Sequence, residues 1–305
     1  MRMGVLDIGS NTGHLLIVDA YRGGPPLPAY SFKEPLRLAE QLGDDNRVTD
    51  DGLARLVKYV EEAKAEALER GCSSIVAFAT SAVRDAANAD EVLATVREVA
   101  GVDLRVLPGE DEARLTFLAV RRWFGWSAGR LGVFDIGGGS LELAVGADEE
   151  PEVARSVALG AGRLTREWLD GPDPRGHEAL RLHVRSVIAD VAGPLLRGGG
   201  FDRAVATSKT FRSLARMCGA APSSEGQYVR RVLSRADLRP LIAEIVLLDV
   251  EEIATLPGVS PDRAHQMVAG AIVAEAAMDL FGVEELEICP WALREGVLLE
   301  HLGQL

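Results

Sequence analysis

Gly4-Val5-Leu6-Asp7-Ile8-Gly9-Ser10-Asn11-Thr12 stands near the start of the chain, and a close copy returns 128 residues later as Gly132-Val133-Phe134-Asp135-Ile136-Gly137-Gly138-Gly139-Ser140. Each copy reads as an apolar strand ending in an aspartate, then a turn of small residues. Each is followed by a second apolar strand, Leu15-Leu16-Ile17-Val18 in one case and Leu143-Ala144-Val145 in the other. At roughly 100–200 residues per domain, the spacing is one domain length. The repeat therefore predicts two domains of related topology, 1–126 and 127–305, with the short Trp126-Ser127-Ala128-Gly129 stretch as the junction.

Outward from the first copy, Ala29–Phe32 opens a third strand, and Leu53, Leu56, Val57, Val60, Ala63 and Ala67 follow helical spacing. Ser74–Ala79 is short and apolar, as expected of a buried strand. A helix over 89–100, a strand over 104–107 and a helix over 110–124 complete the order βββαβαβα. The second half begins with strands 131–136, 141–146 and 153–158. A long amphipathic helix through Leu180–Leu195, a strand at 204–206, a helix at 210–218, helices at 238–248 and 264–281, a strand at 287–288 and a last helix from 293 follow. The expectation is an α/β protein of two mixed sheets flanked by helices, with the site in a cleft between the domains. The last helix, 293–305, is a candidate to pack back on the first domain. Gly23-Gly24-Pro25-Pro26 reads as a turn.

The chain has 305 residues, 47% hydrophobic and 26% charged, with a net charge of −13. That composition is globular. The acidic balance argues against a general nucleic-acid or anionic-membrane binder. No apolar run approaches the ~18 residues of a membrane span, and Asp7 comes too early for a signal-peptide core. A cytoplasmic location is expected. The three cysteines, Cys72, Cys218 and Cys289, are isolated, which disfavours both a disulfide framework and a zinc site.

Two aspartate–glycine turns suit phosphate. Backbone amides converge on an anion where no Cβ obstructs them, and an aspartate at a strand end can hold a hard cation. Two plain hairpin turns are the alternative, weakened by the duplication and by the Gly137–Ser140 run. There is no GxxxxGK[ST] and no GxGxxG opening a helix, so the usual nucleotide loops are missing. Glu110, Asp111 and Glu112 open a helix; each would suit its dipole, and spacing alone does not choose a catalytic acid among them. Glu142 shares a strand face with Ser140. Arg84 follows a buried strand and a small turn, placed either to reach into a cleft or to sit in solvent. Lys209, with Arg212 one turn on, stands at a helix start that suits a phosphate chain or forms a surface charge pair. Arg121-Arg122 and Arg230-Arg231 read as solvated faces.

Asp7–Thr12, Ala79-Thr80-Ser81-Ala82-Val83-Arg84, Gly109-Glu110-Asp111-Glu112-Ala113-Arg114-Leu115, Asp135–Glu142 and Leu293-Arg294-Glu295-Gly296-Val297-Leu298 occur in that order. Together they resemble the exopolyphosphatase/guanosine pentaphosphate phosphatase family, and the Ser208–Cys218 stretch looks like its short actinobacterial type. The resemblance implies two ribonuclease-H-like domains of the actin-like ATPase superfold. It implies a metal-dependent hydrolase that releases terminal phosphate from inorganic polyphosphate. The alternatives are a guanosine pentaphosphate phosphohydrolase and a non-enzymatic alarmone- or polyphosphate-binding regulator. It assigns Glu112 as the base on the attacking water, Glu142 as a second acid, and Asp7 and Asp135 as holders of Mg²⁺ or Mn²⁺. Arg84, Ser10, Asn11, Thr12, Gly137, Gly138, Gly139 and Ser140 are assigned to phosphate. A homodimer and (p)ppGpp as a further ligand are also implied, with neither nucleic acid nor membrane as partner. Longer relatives carry a further C-terminal region, so a preference for short chains is expected. Gly13 departs from the larger apolar residue usual in the family and is expected to loosen the first hairpin. Ala204–Ser208 lacks the Gly-Gly by which related kinases seat a purine.

Overall fold

The computed structural model describes every residue except 22, 23, 25, 44, 171–174 and 305. Gly23 and Pro25 of the expected turn therefore lie outside the described residues. The chain divides into two compact units, Met1–Glu112 with the residues from Leu293 onward, and Ala113–Ala292.

In the first unit, β1 (Arg2–Ile8), β2 (Thr12–Asp19) and β3 (Leu27–Pro35) form an antiparallel meander. α1 (Asp50–Glu69) follows, capped by Thr49, whose side chain accepts from Gly52 N, with Asp50 and Asp51 in its first turn. Its apolar stripe buries Leu56, Tyr59, Val60, Ala63 and Ala67. β4 (Ser74–Ala79) runs parallel to β1, and β5 (Arg105–Val106) parallel to β4. The single turn α2 (Ser81–Arg84) and the helix α3 (Ala89–Ala100) connect them. The sheet order is β3-β2-β1-β4-β5.

α4 (Gly109–Phe124) contains the division between the units. The boundary therefore falls after Glu112, not at residues 126–127. The reason is packing: beyond Glu112 the helix buries Ala113, Phe117 and Val120 with Leu131, Val133, Ala144 and Val205. The helix Leu293–Gln304 groups with the first unit, burying Gly296, Val297, Leu298 and Leu302.

The second unit repeats the first. β6 (Leu131–Ile136), β7 (Leu141–Gly146) and β8 (Val153–Val157) form the meander. The single turn α5 (Ala161–Leu164) and the long α6 (Gly176–Leu196) come next. β9 (Arg203–Thr207) lies parallel to β6 and leads into α7 (Ser208–Met217). A short β10 (Val232–Ser234), which the sequence pattern does not announce, pairs antiparallel with β11 (Glu285–Ile288), itself parallel to β9. The order is β10-β11-β9-β6-β7-β8, so β8-β7-β6-β9-β11 matches β3-β2-β1-β4-β5 strand for strand. This is the ribonuclease-H-like arrangement, twice. α8 (Arg235–Ile245), α9 (Val250–Ala254) and α10 (Met267–Leu280) complete the unit. α10 is buried on nearly every side, and its one inward acid, Glu275, pairs with Arg239 and Arg181.

Two expectations are corrected. Arg121 is not solvated: it is fully buried, and its guanidinium donates to the carbonyls of Gly125, Gly129, Gly146 and Asp148. Burial pulls its pKa below the usual arginine range, with Asp148 opposing. Arg231 likewise donates to Ala221, Pro222, Gly226 and Val229 carbonyls, while Arg122 and Arg230 do face acids at the surface. Nor does Gly13 loosen its hairpin. It pairs with Ile8, and a Cβ there would lie 2.3 Å from the Tyr59 ring, which fills the space. Tyr59 is fully buried, stacks on Phe32 at 5.5 Å and donates to the Phe32 carbonyl. Burial first, then Asp7 and Glu34, push its phenol above the ordinary tyrosine range.

Candidate active site

The parallel strands of a doubly wound sheet present ligands at their carboxyl ends, where successive loops open side by side. In the first unit those ends carry three of the motifs. β1 ends in Asp7–Thr12, β4 runs into Thr80–Arg84, and β5 runs into the Glu110–Glu112 turn. In the second unit β6 ends in Asp135–Ser140 and β9 in Thr207–Lys209.

The two glycine turns are built alike. Gly9 N donates to Thr12 O at 3.1 Å, and Gly137 N to Ser140 O at 2.9 Å. Each turn's carbonyls are taken by a packed segment: Ala39 N on Ser10 O and Arg37 N on Asn11 O, Ala161 N on Gly137 O and Arg163 N on Gly138 O. What each turn can offer an anion is its amides. Ser10, Asn11, Gly139 and Ser140 are buried, while Gly9, Thr12, Gly137 and Gly138 are partly exposed. In the second unit the turn leans on Gly160, where a Cβ would lie 2.3 Å from Gly139 N and C. Only a glycine admits that approach.

The structure chooses among the three acids at the start of α4. Glu110 is exposed, and Asp111 faces Arg105 at 3.8 Å. Glu112 is buried and pairs with Arg84 through Oε1 and Nη1. Arg84 also donates to the Leu107 carbonyl and to Asp85. Burial disfavours its charge, but Glu112 and Asp85 outweigh that and hold its pKa above the usual arginine value. Asp7 faces Arg294 of the C-terminal helix at 3.4 Å.

In the second unit, Glu142 stands directly opposite Asp135 across β6 and β7, and Ser156 directly opposite Glu142 across β7 and β8. Directly paired residues share a face, so the three form one row. Ser156 Oγ donates to Glu142 Oε1 at 2.8 Å. The row was not legible from the Ser140–Glu142 alternation, because pairing register is a property of two strands. The first unit has the same row, Asp7–His14–Lys33.

Lys209 opens α7 and donates to the Gly258 carbonyl at 3.3 Å. Burial first, then the like charges of Arg212 and Arg263, lower its pKa. Asp262 acts on it in the opposite sense.

Sequence reasoning missed Ser81, whose hydroxyl lies 2.9 Å from that of Ser10, and its counterpart Ser208, held at a left-handed φ of 87°. A signal was present. Ala77-Phe78-Ala79-Thr80-Ser81 recurs as Ala204-Val205-Ala206-Thr207-Ser208, a second repeat that the first overshadows. Gly160 and Ser156 carry no such signal, since each matters only through a partner from another element.

Duplicated ribonuclease-H-like sheets carry acidic, glycine-rich turns at the carboxyl ends of their parallel strands. The chain belongs to the Ppx/GppA phosphatase family, which it matches over residues 17–305. Exopolyphosphatase 1 of Mycobacterium tuberculosis is 56% identical over 304 residues, spanning 99% of this chain and 88% of that protein. The Mycobacterium leprae protein of the same name is 55% identical over 99% of this chain and 90% of its own length. The crystal structure of an exopolyphosphatase from Cytophaga hutchinsonii superimposes with a TM-score of 0.86 at 25% identity, over 100% of this chain and 99% of that one.

Proposed function

We propose that the chain is an exopolyphosphatase that hydrolyses the terminal phosphoanhydride bond of inorganic polyphosphate. The observation that carries the mechanism is Glu112. It is buried and aimed by Arg84, at the same edge of the sheet as the Asp7 turn. The 56% identity to a mycobacterial exopolyphosphatase over 99% of the chain supports the substrate.

In this reading, water attacks the terminal phosphorus in line and Glu112 Oε accepts its proton. The bond between the terminal phosphorus and the bridging oxygen breaks, and the shortened chain leaves with that oxygen. Within each unit the turn amides, around Ser10–Thr12 in the first and Gly137–Ser140 in the second, are the groups that would meet phosphate oxygens. Arg84 keeps donors beyond its bond to Glu112, and Lys209 adds positive charge at the start of α7. No covalent protein intermediate is needed.

The donor chemistry fits Mg²⁺ or Mn²⁺. Asp7, Asp135 and Glu142 offer carboxylate oxygens, the ligands of hard cations. Among the described residues no three Asp, Glu, His or Cys side chains form a metal cluster. In the first unit Asp7 would be the carboxylate to hold the cation, and in the second unit Asp135, with Glu142 directly opposite on the neighbouring strand. Bound there, such a cation would offset charge on phosphate oxygens. Activity should then vanish in EDTA and return with added Mg²⁺; full turnover in EDTA would refute this part. Among the described residues no helix is long and apolar enough to cross a membrane. A homodimer belongs to the same proposal and rests on the resemblance alone.

The test is phosphate release from polyphosphate of several lengths, guanosine pentaphosphate and ATP, side by side. Polyphosphate is expected to be the best substrate. Faster release from guanosine pentaphosphate would move the assignment to the nucleotide, and binding without release would make the chain a regulator.

A further inference from the structure

We infer that Arg294 is a positioning residue for Asp7, so that a side chain from the last helix orients the carboxylate at the end of the first strand. The inference rests on the reading of Asp7 as part of the site. The motif Leu293-Arg294-Glu295-Gly296 stands far from every other site residue in the chain, and the mechanism above gives it no role.

Arg294 Nη1 lies 3.4 Å from Asp7 Oδ2, with the two side chains 23% and 18% exposed. Water is thus largely kept from the pair, and a charge interaction counts for more than at an open surface. Two features of Arg294 do nothing for the fold. It sits in the first turn of its helix, where the dipole favours acids and disfavours a cation. Its Nε is buried without an acceptor, an arrangement that costs free energy. Gly296, Val297, Leu298 and Leu302 already anchor the helix, so the guanidinium is not required for docking. What the guanidinium does reach is Asp7. Its Nε end is buried while one arm faces the carboxylate, which restricts where Oδ2 can point.

The experiment compares R294Q, R294K and D7N with the wild type, measuring kcat and KM for polyphosphate and the melting temperature of each. A misplaced reacting group can cost up to ~10²-fold, so R294Q is expected to lower kcat by about tenfold or more while KM stays within about threefold. R294K should fall between R294Q and the wild type. A wild-type kcat for R294Q beside an impaired D7N would overturn the inference and leave the site reading standing. A KM that rises with kcat unchanged would make Arg294 a substrate contact instead, and also overturns it. Wild-type turnover by D7N would remove Asp7 from the reaction, and the site reading would fail with the inference. If R294Q does not fold, R294K decides by the same split: lower kcat at unchanged KM supports the inference, and wild-type kcat or raised KM overturns it.

Discussion

Glutamine at position 112 would keep the shape of the side chain and lose the acceptor carboxylate. A positioned base contributes ~10²–10⁴-fold, so E112Q should lower kcat by about that factor. Polyphosphate should still bind, because the glycine turns are untouched; equilibrium binding beside steady-state kinetics checks both halves. A wild-type rate for E112Q with a dead E142Q would exchange the two roles. Lys209 gives a prediction with a pH sign. Its pKa is lowered in the folded chain, by burial and by Arg212 and Arg263. Between that lowered value and the ordinary lysine value, the unfolded chain binds more protons, so stability rises with pH across that window. Below it, the cost of the buried charge is present in full. K209M should therefore raise the melting temperature near pH 7, with a gain that shrinks as pH climbs towards the usual lysine range, while weakening polyphosphate binding. Thermal melts over pH 7–10 and a binding isotherm decide it, and a destabilised K209M would show that the Gly258 contact outweighs the charge.

The turns depend on neighbours that the local sequence does not name. Gly160 is outside both repeats, yet its missing Cβ is what lets the Gly137–Ser140 turn settle against α5. Overpacking typically costs ~1–3 kcal/mol, and here the obstructed atoms are backbone, which cannot rotate away. G160A should lower the melting temperature and raise KM for polyphosphate together, because the displaced atoms belong to the proposed cradle. An unchanged KM would show that the turn amides do not hold substrate. The same logic corrects Gly13. The glycine looks loose in the sequence, but α1 delivers Tyr59 over it, and the ring takes the volume that a side chain at 13 would have filled.

The first unit is closed by the far end of the chain. Deleting residues 293–305 removes the buried Val297, Leu298 and Leu302 and the Arg294–Asp7 pair. Each buried apolar side chain is worth roughly 1.5–3 kcal/mol, so the deletion should destabilise the first unit by about 5 kcal/mol and abolish turnover. Hydrogen exchange read separately over the two units would show the loss confined to Met1–Glu112. Equal loss in both units would contradict the division.

The amino-acid sequence alone determined the duplication, most strands and helices, and the acids and glycines of the two turns. These signals are local: periodicity, a terminal aspartate and a run of small residues survive without knowledge of partners. β4 and α3 have the expected limits, and β6 and β7 match theirs, because each is bounded by turn residues within the same stretch. Only the tertiary structure decided which acid of Glu110–Glu112 is buried, since helix dipole and spacing treat the three alike and Arg84 does not. It alone set Asp135, Glu142 and Ser156 in one row, because register relates separate strands. It alone turned Arg121 inward, where four backbone carbonyls replace the solvent an arginine normally requires. It alone brought Arg294 to Asp7, for a contact between residues so distant in the chain leaves no periodic trace, and long-range packing is what fixes it.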